Sequence, residues 1–251
     1  MRRPSVPIGI GLLAAVLALG AVGCGKEEAP RNETRIQRAS RLLNSGTVRQ
    51  RQAAAAALGD MQGSESADLL LKALADPHVN VKRSAAAALL KRDDPRAALR
   101  AASLIDHNDA GLRTLAVSLA KRFPHPSLVE PLAGRLKDPQ MLIRAEAADA
   151  LSRIGEPAVE ALIEQAGSGD PKAQREAARA LGQIGKHRAA AALANLLDSP
   201  DTDVRLQAAA ALGLVGDPRG VPALKRIVTD PLTDAEKQRF ARRLGAAPSP
   251  L

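Results

Sequence analysis

The sequence predicts an all-α fold, an α-solenoid of about seven helix-turn-helix repeats with a 31-residue period, preceded by a signal peptide. Three observations carry this. Leucines recur at intervals of 30 to 32 residues, at Leu58, Leu89, Leu119, Leu151, Leu181, Leu212 and Leu244. Alanine pairs stand upstream of several of them, at Ala85-Ala86, Ala147-Ala148, Ala177-Ala178 and Ala208-Ala209. A charge-free apolar run, Ile8 to Ala21, follows Arg2 and Arg3 at the start of the chain. A fixed period of 20–50 residues is the mark of stacked repeats.

The leader, residues 1–23, comes first. Its apolar run is shorter than the ~20 residues that span a bilayer, and it matches the central segment of an export signal. It ends in Ala21-Val22-Gly23-Cys24, which resembles the lipobox of bacterial lipoproteins, although that family favours Leu where Ala21 stands. The resemblance implies cleavage before Cys24 and acylation of its thiol, with the membrane as partner through the lipidated N-terminus. Two or three chains, at about 0.8 kcal/mol per buried methylene, make a durable anchor. Gly25 occupies the position where an Asp would signal inner-membrane retention. The implied address is the bacterial cell envelope, at the outer membrane of a Gram-negative host, facing the periplasm or the surface. Residues 24–32 are short and polar and read as a tether reaching roughly 25 Å.

Residues 33–249 form the solenoid, in units 33–63, 64–94, 95–125, 126–156, 157–187, 188–218 and 219–249. Each unit holds a first helix, marked by pairs such as Leu70/Leu74, Leu99/Ile105, Leu132/Leu136 and Leu193/Leu197. A spacing of four residues puts such pairs on one helix face, and Leu99/Ile105, six apart, is read with them as the same pattern. The second helix carries the alanines and the recurring leucine. Asp76-Pro77, Asp138-Pro139, Asp170-Pro171 and Ser199-Pro200 read as helix starts. The glycines that follow the leucines, Gly59, Gly182, Gly213 and Gly245, read as helix stops. A two-helix unit cannot bury its own apolar face, so neighbours must stack on it. The small alanines let adjacent helices approach closely. The outermost helices are polar, with Arg35, Gln37, Arg38 and Arg41 at one end and Lys237, Gln238, Arg239, Arg242 and Arg243 at the other.

The strings Val204-Arg205-Leu206-Gln207-Ala208-Ala209-Ala210-Ala211-Leu212-Gly213 and Arg175-Glu176-Ala177-Ala178-Arg179-Ala180-Leu181-Gly182 resemble HEAT repeats of the short bacterial, phycocyanobilin-lyase-type variety. The resemblance spans residues 33 to 245, and the third unit departs most, with Phe123-Pro124-His125 in place of a Gly-rich ending. It implies an armadillo-like helical stack and says little about activity.

Composition narrows the function. A single cysteine, Cys24, forbids an internal disulfide framework and any Cys-clustered metal site. Phe123 and Phe240 are the only aromatics, which removes the stacking platforms of single-stranded nucleic-acid binders. His78, His107, His125 and His187 lie in different units without helical metal-site spacing. HEAT-type deoxyhypusine hydroxylases hold di-iron with His-Glu dipeptides, and this chain has none. Serines such as Ser84, Ser103 and Ser118 lack a His and an acid at recognisable spacing. No catalytic residue, metal or cofactor is expected, nor a small-molecule or nucleic-acid ligand.

Two sets of basic residues stand out. A column of Lys82, Arg113, Arg144, Arg175 and Arg205, with Arg51 before it, reads as a structural ladder that pairs with acids of the turns, such as Asp76, Asp109, Asp138, Asp170 and Asp203. A second set, Arg83, Lys91, Lys121, Arg153 and Arg179, lies on the second helices, which line the inner side of such solenoids. It forms a candidate binding stripe for anionic groups or an acidic protein segment. The net charge of +9 falls by two when Arg2 and Arg3 leave with the leader. The reading that unites these features is a non-catalytic envelope lipoprotein whose solenoid docks an unidentified protein. The alternatives are an enzyme-associated, lyase-like accessory subunit and a binder of anionic polymer or lipid headgroups.

Overall fold

The computed structural model describes residues 33–229. The leader, Cys24, the tether and the second helix of the last unit lie outside the described residues. The chain divides into two units, Met1–Thr34 and one beginning at Arg35. The second is all-helical. Its thirteen described α-helices run α1 (Arg35–Ser45), α2 (Val48–Gly59), α3 (Ser64–Ala73), α4 (Val79–Arg92), α5 (Arg96–Ala101), α6 (Ala110–Arg122) and α7 (Val129–Gly134). They continue as α8 (Met141–Ile154), α9 (Val159–Ala166), α10 (Pro171–Ile184), α11 (Ala190–Asn195), α12 (Thr202–Leu214) and α13 (Gly220–Thr229). Odd and even helices alternate as first and second members of six hairpins, and α13 opens a seventh. Each even helix packs on the next, from α2 through α4, α6, α8 and α10 to α12. The odd helices meet one another more thinly.

Local chemistry sets the boundaries. Thr47 and Gln50 close a reciprocal cap on α2: Gln50 Oε1 accepts the Thr47 amide at 2.8 Å, and Thr47 Oγ1 accepts the Gln50 amide at 3.4 Å. Asp109 and Asp201 cap α6 and α12 by accepting the amides of Leu112 and Val204. Asp170 accepts the Lys172 amide at 2.8 Å, with Pro171 as the first residue of α10.

Asp76-Pro77 and Asp138-Pro139 behave differently from the expected helix starts. The helices begin later, behind His78 and Gln140. Each Asp accepts the amide two residues on, His78 at 2.8 Å and Gln140 at 2.9 Å. These Asx turns leave carboxylate lone pairs available for a guanidinium.

The core is a continuous ribbon. Leu58, Leu89, Leu119, Leu151, Leu181 and Leu212 are fully buried, as are the four alanine pairs. Each buried leucine contributes about 1.5–3 kcal/mol from removal of apolar surface from water. The first helices add Leu70, Ile105, Leu132, Leu136, Leu162 and Leu193.

Two expectations are corrected here. Gly182 lies inside α10 rather than ending it. A Cβ on Gly182 would sit 2.9 Å from both Cα and Cβ of Ala211 on α12, and one on Gly59 would sit 2.9 Å from Cβ of Ala88 on α4. These glycines let neighbouring second helices touch. The stop for α10 is Gly185, in the left-handed region at φ 70°, which favours glycine. Leu99 is also not a core residue, at 47% exposure. Ala97, Ala98 and Ala101 take the buried face of α5, and Leu99 lies about 200° around the helix from Ala97 and Ala101.

Candidate interaction surfaces

The basic ladder stands at the start of the second helices. Arg51 donates to Gly46 O at 3.0 Å and forks onto Asp76 of the next unit, Nε to Oδ2 at 2.7 Å and Nη2 to Oδ1 at 3.2 Å. Arg113 repeats this one step further on. Its Nη1 donates to His107 O and Asn108 O at 3.0 Å, and its fork meets Asp138 at 2.8 and 3.3 Å. Arg144 and Arg205 make the same bonds to the carbonyls six residues back, Asp138 O at 2.7 Å and Ser199 O at 2.8 Å.

In the fifth unit Gln174 holds this position, donating to Ser168 O at 2.5 Å, also six residues back. Arg175 stands one residue past the ladder, bound to Glu176 at 3.0 Å and 3.8 Å from Asp203. The third unit has His107 where the paired repeats have Asp, and the Lys82 side chain makes no hydrogen bond or ion pair among the described residues. Its neighbour Arg83 reaches Asp109 instead, Nε to Oδ1 at 2.9 Å.

Where the ladder is complete, charge is trapped between repeats. The Asp138 side chain is fully buried against Arg113. Burial pushes its carboxyl up, but Arg113, the Gln140 amide and Arg135 outweigh this and hold it below the usual carboxylate range. Asp76 follows the same balance with Arg51 and the His78 amide. Arg144 differs. It is 6% exposed, and no described carboxylate lies within ion-pair distance of it. Its Nε has no hydrogen-bond partner. The turn position that is Asp in the second and fourth units is Ser168 in the fifth, so the next repeat offers Arg144 no acid.

The stripe residues share the second-helix row but are mostly bound to it. Lys121 of α6 meets Glu146 and Asp149 of α8 at 2.8 and 3.4 Å. Arg179 of α10 meets the same Asp149 at 2.6 Å, Glu176 at 3.0 Å and Ala145 O at 2.9 Å. Hydrogen bonding to Glu146 raises the Lys121 ammonium. Burial pushes the Asp149 carboxyl up, and Arg179 and Lys121 overcome it and hold it low. Lys91 and Arg153 are exposed and have no partner among the described residues.

The stripe is therefore broken into interhelix staples and two free cations. Sequence reasoning did not pick out Glu146, Asp149 and Glu176 as the partners. The signal for Glu146 and Asp149 is a position about one repeat from the cations they hold, visible once the units are written in register, whereas Glu176 stands three residues before Arg179 on the same helix.

The histidines do turn work. His78, His107 and His125 each accept a backbone amide through Nδ1, at 3.3, 3.0 and 3.2 Å. Among the described residues no group of three or more metal-binding side chains converges. No described helix is long and apolar enough to cross a membrane.

The first-helix row is more open. A groove of about 710 Å³ runs between α3 and α5, lined by Asp68, Leu71, Lys72, Ala75, Arg96, Leu99 and Arg100. A smaller hollow of about 160 Å³ lies between α1 and α3, lined by Leu43, Asn44, Leu69, Ala73 and Asp76, and it shares Lys72 and Ala75 with the groove.

Comparison with known proteins agrees with this architecture. YibA of Escherichia coli is similar at 17% identity over 85% of this chain and 82% of its own, with a TM-score of 0.51. The complex of CpcE and CpcF of phycocyanin lyase from Nostoc sp. covers 90% of this chain and 100% of its own at 20% identity, TM-score 0.47. A designed armadillo repeat protein in complex with the peptide (KR)4 covers 72% and 100% at 18% identity, TM-score 0.48. Among curated proteins no sequence matches. The family description "HEAT repeats" matches residues 36–118, 98–166 and 159–245, most of the chain, and this protein belongs to the HEAT-repeat family.

Proposed function

We propose that this protein is a non-catalytic envelope lipoprotein that docks other proteins on its HEAT-repeat solenoid. In this reading residues 1–23 are removed, Cys24 is acylated, residues 24–32 act as tether and residues 33–249 form the scaffold. One observation supports the docking role above the others: the six described hairpins share a single alanine- and leucine-lined core, pinned between repeats by the Arg51–Asp76 and Arg113–Asp138 pairs. A stack held this way offers a large surface with little left to order on binding, which lowers the entropic cost of association.

The stripe draws less support as a polyanion site, because Arg83, Lys121 and Arg179 already hold carboxylates. Mass spectrometry of the mature protein from its host tests the anchor. A diacylated Cys24 at the N-terminus is expected, and an uncleaved leader or a free thiol overturns it. Recovery of a protein partner that survives a salt titration tests the docking role. Binding that collapses steeply with salt favours the polyanion reading instead.

A further inference from the structure

We propose that the groove between α3 and α5 docks an acidic, apolar helical segment of a partner protein. Its leucine-like side chains would seat against Leu71 and Leu99 and its carboxylates against Lys72 and Arg100. The proposal rests on the scaffold reading above and names the face and the chemistry of the partner.

The groove lies where the first helix of the third unit faces α3. α5 has six residues, and its buried face is made of alanines, so it leaves space against α3. Leu99, 47% exposed, stands in that space with the half-buried Leu71 as its apolar neighbour. An amphipathic helix laid into such a groove is read by anchors at helical spacing.

The charge of the groove is what selects the occupant. Its acid Asp68 is held by Arg96 at 2.6 Å, and Arg96 also holds Asp94 at 2.7 Å. Asp76, at the edge of the adjoining hollow, is held by Arg51. Lys72 and Arg100 are exposed and have no partner among the described residues. The free charge is therefore positive, and Lys72 sits where the two hollows meet, with apolar residues on both sides. Two free cations are fewer than the four to eight that typify recognition of an anionic membrane surface. They suit a peptide carrying a few acids.

A photo-crosslinking side chain at Leu99 of the full chain, in its host cells, tests this, with parallel probes at Met141 and Leu214. Both control positions are exposed and lie away from the groove. The expected adduct at Leu99 maps to a partner peptide rich in Asp or Glu and leucine-like residues. Its yield should fall at least about fivefold in Lys72→Glu/Arg100→Glu, as two modest charge contacts predict, and hold in Lys91→Glu/Arg153→Glu. Circular dichroism of each variant establishes that the helices are intact.

Protein adducts at Met141 or Leu214 but none at Leu99 overturn the groove and leave the scaffold standing. No protein adduct at any of the three positions overturns both. A lipid adduct, a second copy of this chain, a basic partner peptide, or a yield unchanged by the Glu substitutions at Lys72 and Arg100 overturns the groove.

Discussion

The two rows of helices solve different problems with the same repeat. In the second-helix row, Gly59 and Gly182 let helices touch, and Arg113–Asp138, Lys121–Glu146 and Arg179–Asp149 tie the third, fourth and fifth hairpins together. In the first-helix row the elements are often shorter, as in α5, α7 and α11, and the groove between α3 and α5 gathers the exposed Leu99, Lys72 and Arg100 in one place. Close packing consumes binding capacity: a charged side chain that pins two repeats together has no free valence for a ligand. The row with the more obvious basic stripe is therefore the poorer candidate surface.

Substitutions in the two rows should separate accordingly. Asp138→Ala leaves the guanidinium of Arg113 buried without its partner, and it should cost on the order of 3 kcal/mol in chemical denaturation at pH 7. The effect has a defined pH sense. The folded Asp138 carboxyl is held below its unfolded value, so its contribution is complete above the ordinary Asp range, near 4. It disappears as pH falls through the folded value. Wild type and Asp138→Ala should converge from about pH 5 downward, and a gap that stays constant into acid would show that the carboxylate is not the source of the stability.

Gly182→Ala places a methyl group against the backbone of Ala211 and should lower stability by about 1–3 kcal/mol. The same change at Gly134, where a Cβ meets nothing within 4 Å, should be stabilising or neutral through helix propensity. Equal losses at both sites would dismiss close packing as the cause.

Ser168→Asp offers Arg144 the acid that the ladder supplies in other units, with an expected gain of roughly 1 kcal/mol. The gain should vanish in an Arg144→Met background. At the small end, Leu99→Ala in the open row should change stability by less than about 0.5 kcal/mol. A larger loss in thermal melting would mean that Leu99 is part of the core after all.

Much of this architecture is legible before any coordinates. The recurring leucines and the alanine pairs mark the buried ribbon, because burial imposes its pattern on residue type at every repeat. The ladder is nearly legible too, since each Arg must reach the carbonyls five or six residues back. It slips at Arg175, where a one-residue change in the turn puts Gln174 in the position instead. Leu99 is misread because α5 is too short for helical spacing to show which face is buried.

The chain alone thus determines that hairpins form and stack, since apolar periodicity and local capping act within a few residues of one another. Only the tertiary structure decides which charges are free. Whether Lys121 is a binding group or a staple depends on Glu146, 25 residues away on another helix, and Lys72 and Arg100 count as free because no acid pairs with them among the described residues. Those are distances between repeats, and they are set by how closely the helices pack.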